Sequence, residues 1–282
     1  MTAAVEYIPY EEFTLGELIG SGTFGSVSKA SWRDREIAVK KIRPGCEDQQ
    51  IEREINQLSR VDHKNIIKLY GISKHDRCFH LLMEYVKGGS LDSFLHAESK
   101  PTYSLAHALN WALQIAQGVA YLHAMKPKPV IHRDIKPLNC LLDQSGLSLK
   151  ICDFGTVVDV TLSMTTGQGT CIYTAPEVFL SGHYNEKCDV YSWAITFWET
   201  LSRKAPFKDL SFYDLSMAIP GGDRPKPEDI IPGCPDDIVS VMTTCWDKEP
   251  KRRLSMELVA YIVQKFLREA GPLQHLDYNF GN

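Results

Sequence analysis

The sequence predicts an α+β fold of two lobes, a small antiparallel β-sheet lobe with one helix and a larger, mainly α-helical lobe. Residues 13–41 alternate polar and apolar side chains around a glycine cluster, which is typical of a strand, a turn and two more strands. Residues 79–86 form another apolar strand, and the Lys-Gly-Gly-Ser sequence at 87–90 ends it as a flexible connector. Since single cores stop growing near ~250–300 residues, a chain of 282 residues favours two lobes.

These signals divide the chain into four segments. We expect a lead-in at residues 1–12, the small lobe at 13–86, the large lobe at 87–270 and a short tail at 271–282.

The helix of the small lobe follows from apolar residues at helical spacing, Ile51, Ile55 and Leu58. Glu54 lies on the same inward stripe, and a buried carboxylate needs a partner. Lys40 is the single cation inside the apolar strand at residues 37–40, so it is the natural partner. The alternative is an ordinary surface ion pair.

In the large lobe, residues 105–120 carry a long amphipathic stripe, and two prolines within residues 125–129 end that helix. Two short apolar segments, 140–142 and 147–151, then flank a turn in a hairpin-like arrangement. This hairpin brings Asn139 and Asp153 to the same end, so Asp134, Asn139 and Asp153 can converge.

The composition argues against several classes of partner. Net charge is −4 with no lysine or arginine tract, so no nucleic-acid partner is predicted. The most apolar helical stretch, residues 190–198, is far shorter than the ~20 residues of a membrane span, so we predict a buried helix and no membrane insertion. The eight cysteines show no metal-site spacing, and with no export signal they indicate reduced thiols in a cytoplasmic protein.

Two short segments carry the chemistry, His-Arg-Asp-Ile-Lys-Pro-Leu-Asn at 132–139 and Asp-Phe-Gly at 153–155. In-line phosphoryl transfer needs metal ions against the phosphates and a carboxylate for the proton of the incoming hydroxyl. Asp153 with Asn139 can hold Mg²⁺, and Asp134 can accept that proton. The alternative, a solvated charged loop, does not account for the fixed spacing of these residues.

The glycine-rich segment at residues 20–27 would let backbone N–H groups approach phosphates. Alone it is weak evidence for phosphate binding, because a glycine-rich turn more often only connects two strands. No helix and no Gly-Lys-Ser/Thr follows it, so a dinucleotide fold and a P-loop lose support. The interpretation that remains is a glycine-rich loop of the kinase type that covers a bound nucleotide.

Two other charged residues are expected to be structural. Glu177, in Ala-Pro-Glu at 175–177, could pair with Arg253 in a long-range salt bridge. Asp189 stands at a helix start and could be its cap. No catalytic role is assigned to Glu177 or Asp189.

The ordered set of these motifs, with Ala-Pro-Glu at 175–177, resembles the eukaryotic protein kinase family over residues 13 to about 270. More narrowly, residues 57–61, 83–85, 118–123, 150–156 and 186–190 resemble the transforming-growth-factor-beta-activated kinases, mitogen-activated protein kinase kinase kinases of the tyrosine-kinase-like group. The chain ends at Asn282, so the resemblance implies a short paralogue without their carboxy-terminal extension.

The resemblance assigns roles to individual residues. Lys40 would grip the α and β phosphates of ATP, Glu54 would orient Lys40, and Lys136 would neutralise the γ-phosphate. Asp134 would be the base, and Asn139 and Asp153 would bind Mg²⁺. The remaining nucleotide contacts would come from Ile19, Gly20, Ser21, Gly22, Gly25, Val27, Ala38, Met83, Glu84, Val86 and Leu141.

The resemblance also implies an activity. At positions 136 and 170, Lys136 and Thr170 resemble the residues of serine/threonine kinases, so we expect an ATP-dependent serine/threonine protein kinase. The narrower resemblance implies a MAP kinase kinase kinase in stress (JNK) or immune signalling. Its partners would be protein substrates such as MAP kinase kinases, and adaptor proteins. Phosphorylation of Thr165, Thr166 or Thr170 would order the loop between residues 154 and 176. The alternative is that these hydroxyls are ordinary exposed side chains of that loop. The alternative function is a catalytically weak binding module or competitor of a longer related kinase.

Overall fold

The structure is a computed structural model that describes residues 5–22, 25–42, 55, 58–153, 170–180 and 184–278. The chain forms two compact units, Met1–Val86 and Lys87–Asn282. The first is built on an antiparallel sheet and the second is mainly helical, which confirms the predicted α+β class.

Five antiparallel strands form the sheet of the first unit, in the order β1-β2-β3-β5-β4. The strands are β1 (Phe13–Gly22), β2 (Gly25–Trp32), β3 (Arg35–Ile42), β4 (Leu69–His75) and β5 (Cys78–Glu84). The predicted strand, turn and two further strands are confirmed by β1 to β3. The predicted strand at 79–86 is β5, which ends at Glu84, and β4 was not predicted.

The two faces of this sheet carry different residues. Ile37, Val39 and Leu82 lie on one face, where they form a buried core with Ile8 and Phe13. The other face carries a second cluster of Ile42, Leu81 and the helical residue Ile55.

Most of the helix predicted for this unit lies outside the described residues. Ile55 and Leu58 are described, and both are helical and buried, as their spacing predicts. Glu54, the predicted partner of Lys40, lies outside the described residues, so that ion pair stays a prediction.

The second unit is built from seven described α-helices around one core. They are α1 (Leu91–His96), α2 (Leu105–Ala124), α3 (Pro176–Leu180), α4 (Lys187–Ser202), α5 (Phe212–Gly221), α6 (Asp236–Cys245) and α7 (Met256–Glu269). Helix α2 ends at Ala124, before the prolines, as predicted. Helix α4 is buried along most of its length, which confirms the predicted core helix. In the described part of the chain, no helix has the length and apolar character needed to cross a membrane.

A two-stranded hairpin, β6 (Cys140–Leu142) and β7 (Leu149–Ile151), lies beside α2. The indole N–H of Trp111 donates to the carbonyl of Gly146 at 2.7 Å and so fixes the hairpin turn to the helix. The segment after α7 contacts the same turn, because the N–H of Leu276 donates to the carbonyl of Ser145 at 2.9 Å. The hairpin is therefore held from two sides.

Candidate active site

The run at residues 132–139 lies between α2 and β6, and its last three residues form the 3-10 helix Pro137–Asn139. The side chains of His132, Asp134 and Asn139 are all buried. Buried polar side chains need hydrogen-bond partners, and several of the partners here come from within the run.

Asp134 is the centre of this local network. Its Oδ2 lies 2.8 Å from the ammonium of Lys136 and accepts from the amide nitrogen of Asn139 at 2.8 Å. The same amide nitrogen donates to the backbone carbonyl of Asp134 at 2.8 Å. Because the Asn139 nitrogen is committed to Asp134, its amide oxygen is the atom of that side chain able to ligate a metal.

The hairpin places Asp153 next to this network. Cys140 pairs with Ile151, and the N–H of Cys152 donates to the carbonyl of Asn139 at 2.9 Å. Asp153 is the next residue, and its φ of 64° is a left-handed conformation that non-glycine residues seldom adopt. Direct side-chain contacts thus join Asp134, Lys136 and Asn139, and the backbone pairing of Cys152 with Asn139 places Asp153 beside them. The rest of the Asp-Phe-Gly motif lies outside the described residues.

The donors in this part of the site are a carboxylate, that of Asp153, and an amide oxygen, that of Asn139. Hard divalent cations such as Mg²⁺ bind oxygen ligands of this kind. The residues present therefore fit a Mg²⁺ ion.

Asp189 supports the run at residues 132–139, a role that the sequence reasoning missed. It lies in the first turn of α4, is fully buried, and accepts from the backbone N–H groups of His132 at 2.9 Å and Arg133 at 2.7 Å. The prediction that it caps the helix is wrong, because the cap position of α4 belongs to Glu186 and the Asp189 oxygens bond to another segment. Asp189 thus fixes the backbone that leads into Asp134.

The charge of Asp189 is maintained by its neighbours. Its carboxylate lies 2.9 Å from the Nε2 of His123. Burial alone would raise the pKa of Asp189, but the hydrogen bond with His123 and the bond from the Arg133 N–H hold that pKa below its usual value. The carboxylate therefore stays ionised, and an ionised carboxylate can accept both backbone N–H groups.

A long-range ion pair supports another part of the helical unit. The guanidinium of Arg253 makes two bonds of 2.7 Å to the two carboxylate oxygens of Glu177. This confirms the pair that the sequence predicts between these residues. The guanidinium is buried, and its bidentate geometry fixes the start of α3.

In the first unit, several predicted nucleotide residues share one face of the sheet. Val27 is opposite both Gly20 and Lys40, and Ala38 is opposite Met83. Residues that face each other in an antiparallel ladder, or lie two apart on a strand, point to the same side. Lys40 on this face is only 8% exposed, an unusual environment for a lysine.

Most of the other predicted nucleotide residues lie near the ends of strands. Ile19, Ser21 and Gly22 are exposed at the end of β1, and Val86 is half-buried just after β5. Glu84, the last residue of β5, donates its N–H to the carbonyl of Lys68 at 2.9 Å. Leu141 belongs to the second unit, where it lies half-buried in β6.

Two glycines of the predicted nucleotide loop differ in what the fold requires of them. A Cβ at Gly25 would clash with the backbone carbonyl oxygen of Lys41, so only glycine fits there. A Cβ at Gly22 would meet no described atom within 4 Å. Packing within the described residues thus explains Gly25 and does not explain Gly22.

The predicted switch residues Thr165 and Thr166 lie outside the described residues, and Thr170 begins the 3-10 helix Thr170–Tyr173. The last residue of that helix is tied to α4, because the Tyr173 hydroxyl donates to Glu199 at 2.6 Å. The hydroxyl of Ser192, also in α4, donates to the Tyr173 carbonyl at 2.8 Å. Helix α4 thus holds the segment that precedes α3.

Comparison with known proteins agrees with these motifs. A family model described as "Protein tyrosine and serine/threonine kinase" matches residues 13–263. The chain is 48% identical to "Mitogen-activated protein kinase kinase kinase 7" of Drosophila melanogaster over 98% of its own length and 41% of that protein. It is 46% identical to the Homo sapiens protein of the same name over 93% of its own length and 43% of that protein.

A further similar protein is "Putative mitogen-activated protein kinase kinase kinase 7-like" of Drosophila melanogaster, at 40% identity over 94% of this chain and 68% of that protein. The chain spans less than half the length of the two proteins named before it. The resemblance that the motifs predict is confirmed by these matches.

Proposed function

Because the chain belongs to the protein tyrosine and serine/threonine kinase family, we propose that the protein transfers the γ-phosphate of ATP to serine and threonine hydroxyls of other proteins. The family match confirms the predicted protein kinase domain. The relatives at 46% and 48% identity support its assignment as an ATP-dependent serine/threonine kinase of the MAP kinase kinase kinase type. The activity, substrates and partners of the complete protein are proposals.

The observation that supports the proposed reaction best is the buried contact of Asp134 with Lys136 and Asn139. In the reaction, a bond forms between the substrate hydroxyl oxygen and the γ-phosphorus, and the bond from that phosphorus to the β–γ bridging oxygen breaks. Asp134 would accept the proton of the hydroxyl. Lys136, whose ammonium lies 2.8 Å from that carboxylate, would offset the charge of the transferred phosphoryl group.

Asn139 and Asp153 are proposed to hold Mg²⁺, as their oxygen donors suit that ion. When bound, the ion neutralises charge on the nucleotide phosphates. The bond from the Cys152 N–H to the Asn139 carbonyl supports this assignment, because it ties the segment carrying Asp153 to Asn139.

ATP would bind on the face of the first unit that carries Val27, Ala38, Lys40 and Met83. Lys40 would contact the α and β phosphates, and its proposed pairing with Glu54 would orient it.

The strand ends would complete the nucleotide contacts. A base contact at Glu84 would use its carbonyl oxygen, since its N–H already donates to Lys68. Packing within the described residues does not require Gly22, and a phosphate that approaches the backbone closely there would explain it.

The substrates and setting are proposed from the relatives. Their printed name, mitogen-activated protein kinase kinase kinase 7, favours MAP kinase kinases as substrates. The resemblance of the motifs is the basis for proposing adaptor proteins as further partners and a role in stress (JNK) or immune signalling. Thr165 and Thr166 remain our preferred switch sites. The seven described cysteines are all free thiols, which supports the proposed cytoplasmic location.

The proposal is tested by incubating the purified protein with labelled ATP and Mg²⁺. We expect autophosphorylation by the wild type, none by Lys40→Met or Asp153→Ala, and unchanged incorporation by the control Asp209→Asn, whose carboxylate is exposed. Nucleotide binding is measured separately. Nucleotide binding without phosphate incorporation by the wild type would favour the competitor function, and unchanged incorporation by both active-site variants would refute the residue roles.

A further inference from the structure

A second group of ligand-type side chains lies in the helical unit and uses none of the proposed Mg²⁺ ligands. Asp92 and His96 belong to α1, and Glu199 belongs to α4. We propose that these three side chains form a binding site for a transition-metal ion of the Zn²⁺ type.

The spacing of the ligand atoms fits one ion. Asp92 and His96 are four residues apart on α1, so they lie on the same face of the helix. The three ligand atoms all lie within 4.8 Å of one another, and the Nε2 of His96 is 2.8 Å from the Oε1 of Glu199. Atoms that bind one Zn²⁺ tetrahedrally at about 2.0–2.2 Å stand about 3.4 Å apart. An ion would therefore enter by opening the His96–Glu199 contact by about half an ångström.

The chemistry of the donors selects the metal. An imidazole nitrogen with two carboxylates suits Zn²⁺ and its first-row neighbours, whereas Mg²⁺ prefers oxygen donors alone. The two carboxylates supply negative charge, and the nearby guanidinium of Arg203 offsets part of it while donating to backbone carbonyls. Water would complete the coordination on the side that faces solvent.

The site is both oriented and accessible. The Glu199 side chain is 2% exposed, and the Tyr173 hydroxyl donates to its Oε2 at 2.6 Å, which holds Oε1 toward His96. Partners of this kind fix the direction of a metal ligand. The side chain of His96 is 35% exposed, so an ion can reach the carboxylate from that side.

The competing explanation is a simple hydrogen bond between His96 and Glu199 with no ion. Asp92→Asn separates the two explanations, because it removes a ligand and leaves that bond in place. Chelator-treated protein would be titrated with Zn²⁺ by calorimetry, with no nucleotide present. We expect one ion per chain for the wild type and affinity at least about tenfold weaker for Asp92→Asn and His96→Gln.

The matched control is His275→Gln, which changes an exposed histidine outside the cluster and should leave the affinity unchanged. Tyr173→Phe should weaken binding by about tenfold through loss of the orienting bond. Titration with Co²⁺ should show no thiolate charge-transfer absorption, which excludes the cysteines as ligands. Equal Zn²⁺ affinity in the wild type and a folded Asp92→Asn variant, or a thiolate band, would overturn the proposal and leave the proposed kinase function untouched.

Discussion

Replacing Asp189 by asparagine tests how the helical unit holds the run at residues 132–139. The carboxylate is fully buried and accepts from the N–H groups of His132 and Arg133 through different oxygens. An asparagine offers one oxygen and one NH₂ group, so whichever way it is turned, one of these two backbone N–H groups loses its acceptor. It also removes the negative charge beside His123.

The size of the effect follows from these contacts. An unsatisfied buried donor costs about 1–3 kcal/mol, and each lost hydrogen bond to the ionised carboxylate, that of His123 included, costs about 1.5–3 kcal/mol. We expect Asp189→Asn to lower the free energy of unfolding by about 3–5 kcal/mol. With a urea slope near ~3 kcal/mol/M, the unfolding midpoint would fall by about 1–1.7 M, and phosphate transfer should fall with it.

The loss should also depend on pH in a defined direction. The folded-state pKa of Asp189 is lowered, so its contribution to stability is present above the unfolded value near ~4 and is lost as pH falls through the folded value. The stabilities of the wild type and the variant should therefore converge as pH falls below about 4.

The assay is urea unfolding followed by tryptophan fluorescence, to which Trp193 and Trp198 of α4 contribute, with the exposed Asp209→Asn as control. A loss under about 1 kcal/mol for Asp189→Asn, or a difference that persists unchanged at low pH, would refute the reasoning.

Three further predictions concern packing. Arg253→Gln should lower the free energy of unfolding by about 3–5 kcal/mol. In a double-mutant cycle, Arg253→Gln with Glu177→Gln should lose less than the two single losses added together, and additive losses would show that the two residues do not act as a pair. Gly25→Ala should lower the unfolding midpoint of the first unit, because its Cβ would clash with a carbonyl oxygen, whereas Gly22→Ala should keep that midpoint and weaken nucleotide binding. The unfolding midpoint is measured in thermal scans and nucleotide binding by titration. A lowered midpoint for Gly22→Ala with an unchanged midpoint for Gly25→Ala would contradict the roles given to both glycines. The hydroxyl of Tyr278 donates to the carbonyl of Asp143 in the β6–β7 turn, so Tyr278→Phe should cost about 1 kcal/mol in urea unfolding, and no change would show that this bond does not support the turn.

The elements that the sequence predicts well are those with a clear local period. Strands β1 to β3 alternate around their glycines, and α2 carries a continuous apolar stripe that ends before two prolines. Strand β4 was missed because its sequence, Leu-Tyr-Gly-Ile-Ser-Lys-His, mixes a glycine with polar residues and gives no clean alternation. Its place in the sheet depends on pairing with β5, which a local pattern does not reveal.

The candidate site shows the same division between local and long-range information. Asp134, Lys136 and Asn139 are close in sequence, so their fixed spacing predicts a common site, and the structure brings them into contact. Asp189 reaches the same run from 57 residues away. Glu199 contacts His96 across 103 residues. No local periodicity encodes these two contacts and no motif indicates them, whereas the Ala-Pro-Glu motif did predict the long-range pair of Glu177 with Arg253.

The most direct test of the account is the rate of phosphate transfer by Asp134→Asn in a single turnover with saturating ATP and Mg²⁺. If Asp134 accepts the hydroxyl proton, the rate should fall by about 10²–10⁴-fold while nucleotide affinity stays close to that of the wild type. A transfer rate equal to that of the wild type would contradict the central role given to this carboxylate.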